Sequence, residues 1–150
     1  MSMSCFVFSN RHLATLGEWQ AAIDALGFDL KLDGTADDLV EELLGHLPAA
    51  WREVEAGFEC YVNGEEGTLD LVESNDGFDF GGPWTCSLEM SYAQEPSIAG
   101  TMMAGAAYAQ ATGGILWEAE GGEILTADAA VAMAHRTAID IAHSLTGTDA

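Results

Sequence analysis

The chain is short of positive charge. Arg11, Lys31, Arg52 and Arg136 stand against 25 acidic side chains in 150 residues, a formal net charge of −21. That scarcity excludes the function classes that run on cations. Nucleic-acid binding needs Lys and Arg to displace counterions from phosphates, and adhesion to anionic lipid headgroups draws on basic clusters. Neither direct nucleic-acid contact nor membrane binding is expected. Cysteine is scarce too: Cys5, Cys60 and Cys86 are an odd number without CxxC spacing. Each lies in an apolar run that reads as a strand, which predicts buried free thiols in a reducing compartment. The opening Met-Ser-Met-Ser-Cys-Phe carries no basic n-region and no apolar h-region, so no secretory leader is read and cytoplasmic residence is the expectation. Long apolar runs are missing as well. The stretch from Ile98 to Ala111 falls short of the roughly 20 residues a membrane span requires and is broken by Thr101 and Gln110. It reads as a buried helix.

What is present is a hydrophobic fraction of 49%, too high for charge-driven disorder. The length suits one domain spanning 1–150, able to bury about 70% of the surface that its unfolded form exposes. Residues 4 to 9 are apolar on both faces, as in a central strand. Thr15 and Glu18 stand in capping-box relation, and Trp19, Ala22, Ile23 and Leu26 follow at helical spacing before Gly27. Phe28, Leu30 and Leu32 then alternate with polar residues up to the turn signal Asp33-Gly34. The opening is a βαβ or split βαβ unit.

Thr35 is placed to cap a second helix with Leu39, Val40, Leu43, Leu44 and Leu47 as its stripe, stopped by Pro48. Phe58, Cys60 and Val62 alternate, and Leu69 to Val72 reads as the returning arm of a hairpin around Asn63 to Gly67. The cleanest pattern is strict period two: Trp84, Cys86, Leu88, Met90 and Tyr92 on one face, Thr85, Ser87, Glu89 and Ser91 on the other. Pro96 suits the first position of a small-residue-rich helix reaching Thr112 before Gly113-Gly114. Ile115 to Ala119 reads as a short strand. Thr126 caps a last helix with the stripe Ala130, Ala134, Ala138, Ile141 and Leu145, ending near Gly147. The resulting fold class is a single α+β domain, a mixed or antiparallel sheet of five to six strands packed by about four helices.

The charge is unevenly spread. Between Asp37 and Asp79 there are thirteen acidic residues against Arg52 alone, a net of −12. Each carboxylate by itself reads as solvated surface. Crowded together with almost no cations, they repel one another and cost stability until a cationic partner uses them. The candidate partner-binding set is Asp37, Asp38, Glu41, Glu42, Glu53, Glu55, Glu59, Glu65 and Glu66, with Trp51 and Tyr61 as aromatic anchors. Phe58 is core by its alternation.

Chemistry finds less support. His135 and His143 lie eight positions apart on the last helix, about 80° apart in azimuth at 100° per residue, and cannot chelate one ion as an i, i+4 pair does. His46 falls in the last turn of the expected second helix, where a cation is favourable. The three cysteines point inward, no Gly-x-Ser-x-Gly elbow is present, and no glycine turn is followed by a Walker lysine. Carboxylate pairs such as Glu118 with Glu120 lack EF-hand spacing. No catalytic residue, metal ligand or cofactor is assigned.

Taken whole, the strand opening, the Gly57-Phe58-Glu59-Cys60-Tyr61 segment, the Ala-rich helix closed by Thr112-Gly113-Gly114-Ile115-Leu116 and the terminal helix resemble the small acidic stand-alone immunity proteins of bacteria. The resemblance carries no functional residue. It implies inhibition by binding: a cytoplasmic protein that covers a cognate toxin or effector domain with a basic surface. Two alternatives are a phage-type acidic mimic of nucleic acid and a small metal-assisted hydrolase built on His12, His135 or His143 with nearby carboxylates. The small-residue helix also leaves room for a homodimer.

Overall fold

The computed structural model describes residues 3–146. Along the chain the elements are β1 (Met3–Ser9), α1 (Leu16–Ala25), β2 (Leu30–Leu32), β3 (Leu44–Leu47), β4 (Ala49–Trp51), β5 (Val54–Glu55), β6 (Phe58–Asn63), α2 (Glu65–Ser74), β7 (Cys86–Tyr92), α3 (Glu95–Thr112), β8 (Ile115–Glu118), β9 (Glu123–Thr126) and α4 (Ala127–Thr146). Six strands form one sheet in the order β3-β6-β7-β1-β8-β9, every neighbouring pair antiparallel. A smaller sheet has the order β2-β4-β5. The architecture is α+β, and β1, as its two-faced apolar run predicts, lies inside the large sheet. Strands β1 and β2 flank α1 but enter different sheets, so the expected opening βαβ or split βαβ unit is not formed.

Register assigns the two faces of the large sheet. Cys5 pairs with Met90, Met90 with Cys60, and Val7 with both Leu88 and Leu116, so these buried side chains share one face. Helix α3 covers it, with Gly105 seated over Met90 and Leu116. Residues 99–109 of α3 are all buried, so over that stretch the small side chains are used inside the chain. The opposite face is divided. Its β1–β8 half carries Phe6, Phe8 and Trp117, closed by Phe80 with ring centroids 5.0 Å from Phe8 and 4.9 Å from Trp117. Helix α2 lies beside them, Thr68 and Ser87 meeting hydroxyl to hydroxyl at 2.9 Å. The β3–β6–β7 half is polar.

Several local expectations are met by the chemistry that motivated them. Thr15 Oγ1 accepts the Glu18 N–H at 3.2 Å, while Glu18 Oε1 takes the Ala14 N–H at 2.8 Å. Thr126 Oγ1 accepts from Ala129 at the start of α4, and Gly113 closes α3 in the left-handed region at φ 70°. Pro96 occupies the second helical position, since the helix begins at Glu95. The side chain of Leu145 and the stop near Gly147 lie outside the described residues.

Two further expectations are corrected by the local structure. The segment 35–47 is a three-residue 3-10 turn at Val40–Glu42 followed by β3, not a helix. The backbone from Ala36 to Val40 is bound to the start of α1 instead: Leu16 and Gly17 donate to the Asp38 and Ala36 carbonyls, and the Val40 N–H donates to Ala14. Gly45 at φ 101° then leaves helical geometry altogether. The returning arm expected at Leu69 to Val72 is helix α2, whose first turn carries Glu65 and Glu66, where carboxylates are favoured by the helix dipole.

The true partner of β6 is β3, and together with β4 and β5 they form one long bent hairpin. β3 runs through Pro48 into β4, and β5 runs through Ala56 and Gly57 into β6. The Ala56 N–H donates to the Ala49 carbonyl at 2.8 Å, stitching the bend. At the tip Arg52 and Glu53 both take positive φ, 53° and 67°, the geometry of a two-residue hairpin loop whose twist matches its strands. One arm pair belongs to each sheet.

Candidate functional site

The polar half of the open sheet face is where the sequence-derived candidates gather. His46 pairs with Glu59 and Glu59 with Ser91, while Tyr61 pairs with Glu89, so these side chains share one face by register. Glu59 is contacted through both oxygens. Tyr61 donates to Oε1 at 3.2 Å, and His46 Nδ1 lies 3.4 Å from Oε2. That hydrogen bond to Glu59 holds the Tyr61 proton and raises its pKa above the ordinary tyrosine value, with burial and the charges of Glu59 and Glu89 adding to it. Glu55 approaches from β5, Oε1 lying 3.9 Å from His46 Nε2 and accepting the Gly57 N–H at 2.7 Å. Gly57 is required there, because a Cβ at that position would sit 2.5 Å from the Leu47 backbone carbonyl oxygen. A cavity of about 460 Å³ opens between these groups and the β7–α3 connection, lined on that side by Ser91, Tyr92, Gln94 and Ser97.

Glu41 and Glu42 are exposed on the 3-10 turn that leads into β3. Leu44 pairs with Tyr61, so the register puts these two acids at the same end of the β3–β6 pair as Glu65 and Glu66, which open α2. Glu55 and Glu59 mark the other end. Carboxylates therefore flank β3, a terminal strand of the sheet, along its length. Asp37 and Asp38 are exposed but tied to the start of α1, and Asp38 Oδ2 accepts the Thr35 N–H. Glu53 sits at the hairpin tip, on a different element from the cavity.

Trp51 is the candidate that the structure removes. The residue is 1% exposed, in the core, and the Arg52 guanidinium stands over its ring at 5.3 Å. An anchor must present its ring to a partner. Trp51 is core, and the alternation of Ala49 and Trp51 as inward residues is the signal that a helix reading of the preceding segment hid.

Sequence reasoning missed His46 as a member of this cluster, having placed it on a helix end. Glu89 and Ser91 were legible as the polar side of the period-two strand, while Gln94 and Ser97 left no signal before α3 was seen to begin at the cavity.

The histidine readings resolve differently. His12 Nε2 lies 3.1 Å from the Asn63 carbonyl oxygen, which only accepts, so in the neutral imidazole that nitrogen carries the proton. Nδ1 then accepts from the Tyr108 hydroxyl at 2.8 Å, and the same oxygen accepts the Leu13 N–H at 3.1 Å. Both ring nitrogens are thus spent on joining β1's exit, β6's end and α3. Burial, the largest cause, raises the Tyr108 pKa and keeps the phenol protonated for this role. Tyr108→Phe should lower stability by about 1–3 kcal/mol, because it leaves a buried amide and an imidazole nitrogen unmatched. Urea unfolding with faster exchange of the Leu13 amide would show it. His135 packs on Phe28 at 4.6 Å between ring centroids. His12 and His135 have different neighbours and form no common site.

Cys5 and Cys60 are buried, and Cys86 is half-buried. Burial pushes the Cys60 thiol up to about 12 and raises Cys5 as well, with the Glu118 charge adding to the latter. Both are protonated thiols at neutral pH. Among the described residues no group of three or more His, Cys, Asp and Glu is arranged to hold a metal ion, and no helix is long and apolar enough to cross a membrane.

No protein-family model, curated protein or solved structure matches the chain.

Proposed function

We propose that the chain is an immunity-type binding protein, one that docks a basic toxin or effector domain in the cytoplasm and neutralises it through the acidic surface around β3. One observation carries this. Among the described residues, none of the thirteen carboxylates between Asp37 and Asp79 is paired with a lysine or arginine, and only His46 comes within ion-pair reach of any, at Glu55 and Glu59. The ion pair that Lys31 does make is with Asp24, outside the stretch, where hydrogen bonds from Gln20 and then Lys31 lower the Asp24 pKa. Uncompensated like charge destabilises the free protein. A cationic partner relieves that repulsion and is steered by it. The scarcity of exposed cations argues against direct nucleic-acid contact in the same terms.

The test is kinetic and inhibitory together. With the basic protein that the chain captures from its host purified separately, the association rate should fall by one to three orders of magnitude when salt rises or when Glu41, Glu42, Glu65 and Glu66 are all changed to Lys. Dissociation should change less, and the partner's own activity should be blocked at equimolar chain. An association rate indifferent to both salt and charge reversal would refute the proposal, and so would a partner left fully active in the complex.

A further inference from the structure

We infer that the cavity between residues 55–59 and 91–97 is a receptor for one arginine side chain of the partner, a reading that rests on the function proposed above. Its volume, about 460 Å³, is ample for a guanidinium head, and the recess is open to solvent. A fringe contact on an acidic surface needs no such recess. Its chemistry calls for a cation: Glu55 and Glu59 form one wall with no lysine or arginine paired to either among the described residues. Glu59 has spare capacity, since an ionised carboxylate offers about four lone-pair sites and only Tyr61 and His46 approach it. The start of α3 also opens here, but its dipole is worth only about half a positive charge against two full carboxylates.

The opposite wall distinguishes guanidinium from ammonium. Ser97, 8% exposed, lines the cavity, and no hydrogen bond from its hydroxyl is found among the described residues. That hydroxyl is not closed off from solvent, so a ligand N–H would replace water on it. Arginine carries five N–H donors in a rigid planar fork and so reaches two walls at once, whereas a lysine offers three donors at one point. Tyr61 adds an aromatic ring on which a guanidinium plane stacks. The combination of paired carboxylates, a ring and a cavity-lining hydroxyl with no protein partner among the described residues fits an arginine head.

The probe is N-acetyl-arginine amide, titrated into the 15N-labelled full chain and followed by amide shifts. Saturable shifts confined to Gly57, Glu59, Ser91 and Ser97 are expected. The neutral citrulline counterpart and the lysine counterpart should each bind more weakly by on the order of tenfold. Glu59→Gln should weaken the arginine probe by a similar factor, and Glu66→Gln should leave it unchanged. His46→Lys, which tethers an ammonium inside the cavity, should abolish binding with the fold retained. Shifts that spread over all acidic segments without saturating, equal binding of citrulline or lysine, or indifference to Glu59→Gln would each overturn the assignment. No partner is used, so the two readings fail separately. Saturable binding here beside a salt-insensitive partner removes only the function proposed, and a salt-steered partner indifferent to Glu59→Gln removes only the arginine receptor.

Discussion

Replacing Trp19 by alanine is expected to lower the unfolding free energy by about 3–5 kcal/mol, the range for emptying a buried aromatic site. Trp19 is fully buried, and its ring stands edge-on to Tyr108 at 5.2 Å and tilted against Phe58 at 6.1 Å. The indole N–H donates to the Ala104 carbonyl of α3 at 2.9 Å. One side chain therefore joins α1, α3 and β6. The loss would be a large part of the roughly 5–15 kcal/mol that typical domains possess, and a urea midpoint with unchanged slope would record it. Trp19→Phe keeps the ring contact and removes the N–H, so it should cost clearly less. A Trp19→Ala protein as stable as the wild type would mean that the helix layer does not depend on this contact.

The second large effect comes from adding atoms. Gly100 of α3 faces the backbone of Ala56 in the bend of the hairpin; a Cβ there would run into the Ala56 carbonyl oxygen and lie 3.1 Å from its Cβ. The obstacle is backbone in a stitched bend, so it yields less than a side-chain tip does. Gly100→Val should cost about 3 kcal/mol, the upper end for overpacking, and Gly77→Ala, where the added carbon meets nothing within 4 Å, should fall within about 0.5 kcal/mol of wild type. Displacement of Ala56 also moves Glu55 and Gly57. Thermal unfolding and the arginine-probe titration on the same variant would separate the stability cost from the damage to the cavity.

How much of this was legible in the sequence depended on how local the deciding forces are. Thr15 with Glu18, Thr126 and Gly113 act within one turn of helix, and each element boundary they signal is found. In the period-two run ending at Tyr92, Leu88, Met90 and Tyr92 need only one buried face, which α3 provides; Trp84, read onto the same face, precedes β7 and packs instead with the Phe6, Phe8, Phe80 and Trp117 cluster. The segment 35–47 failed for the opposite reason. Leu39, Val40, Leu43 and Leu47 satisfy a helical stripe, but the Ala14, Leu16 and Gly17 backbone bonds that hold this stretch extended come from another part of the chain. At 65–74, Gly64 and Gly67 read as turn chemistry and hid a helix whose opening acids were the better signal. The small sheet escaped because strands of two or three residues show no periodicity. As for the site, the acidic stretch and Tyr61 were visible as composition. Their convergence on His46 depends on the pairing of β3 with β6, a long-range register that no local pattern in 35–47 discloses.

The exposed end of the large sheet has a consequence for how copies of this chain meet. A terminal strand offers unpaired backbone groups that another chain can extend, and β3 is such a strand. Two copies approaching edge to edge would bring Glu41, Glu42, Glu55 and Glu59 of one against the same four of the other. The approach of identical chains is opposed by their own carboxylates, while a strand rich in lysine and arginine meets no such barrier. The charge proposed above to select a foreign partner would also guard this edge against fibrous self-stacking.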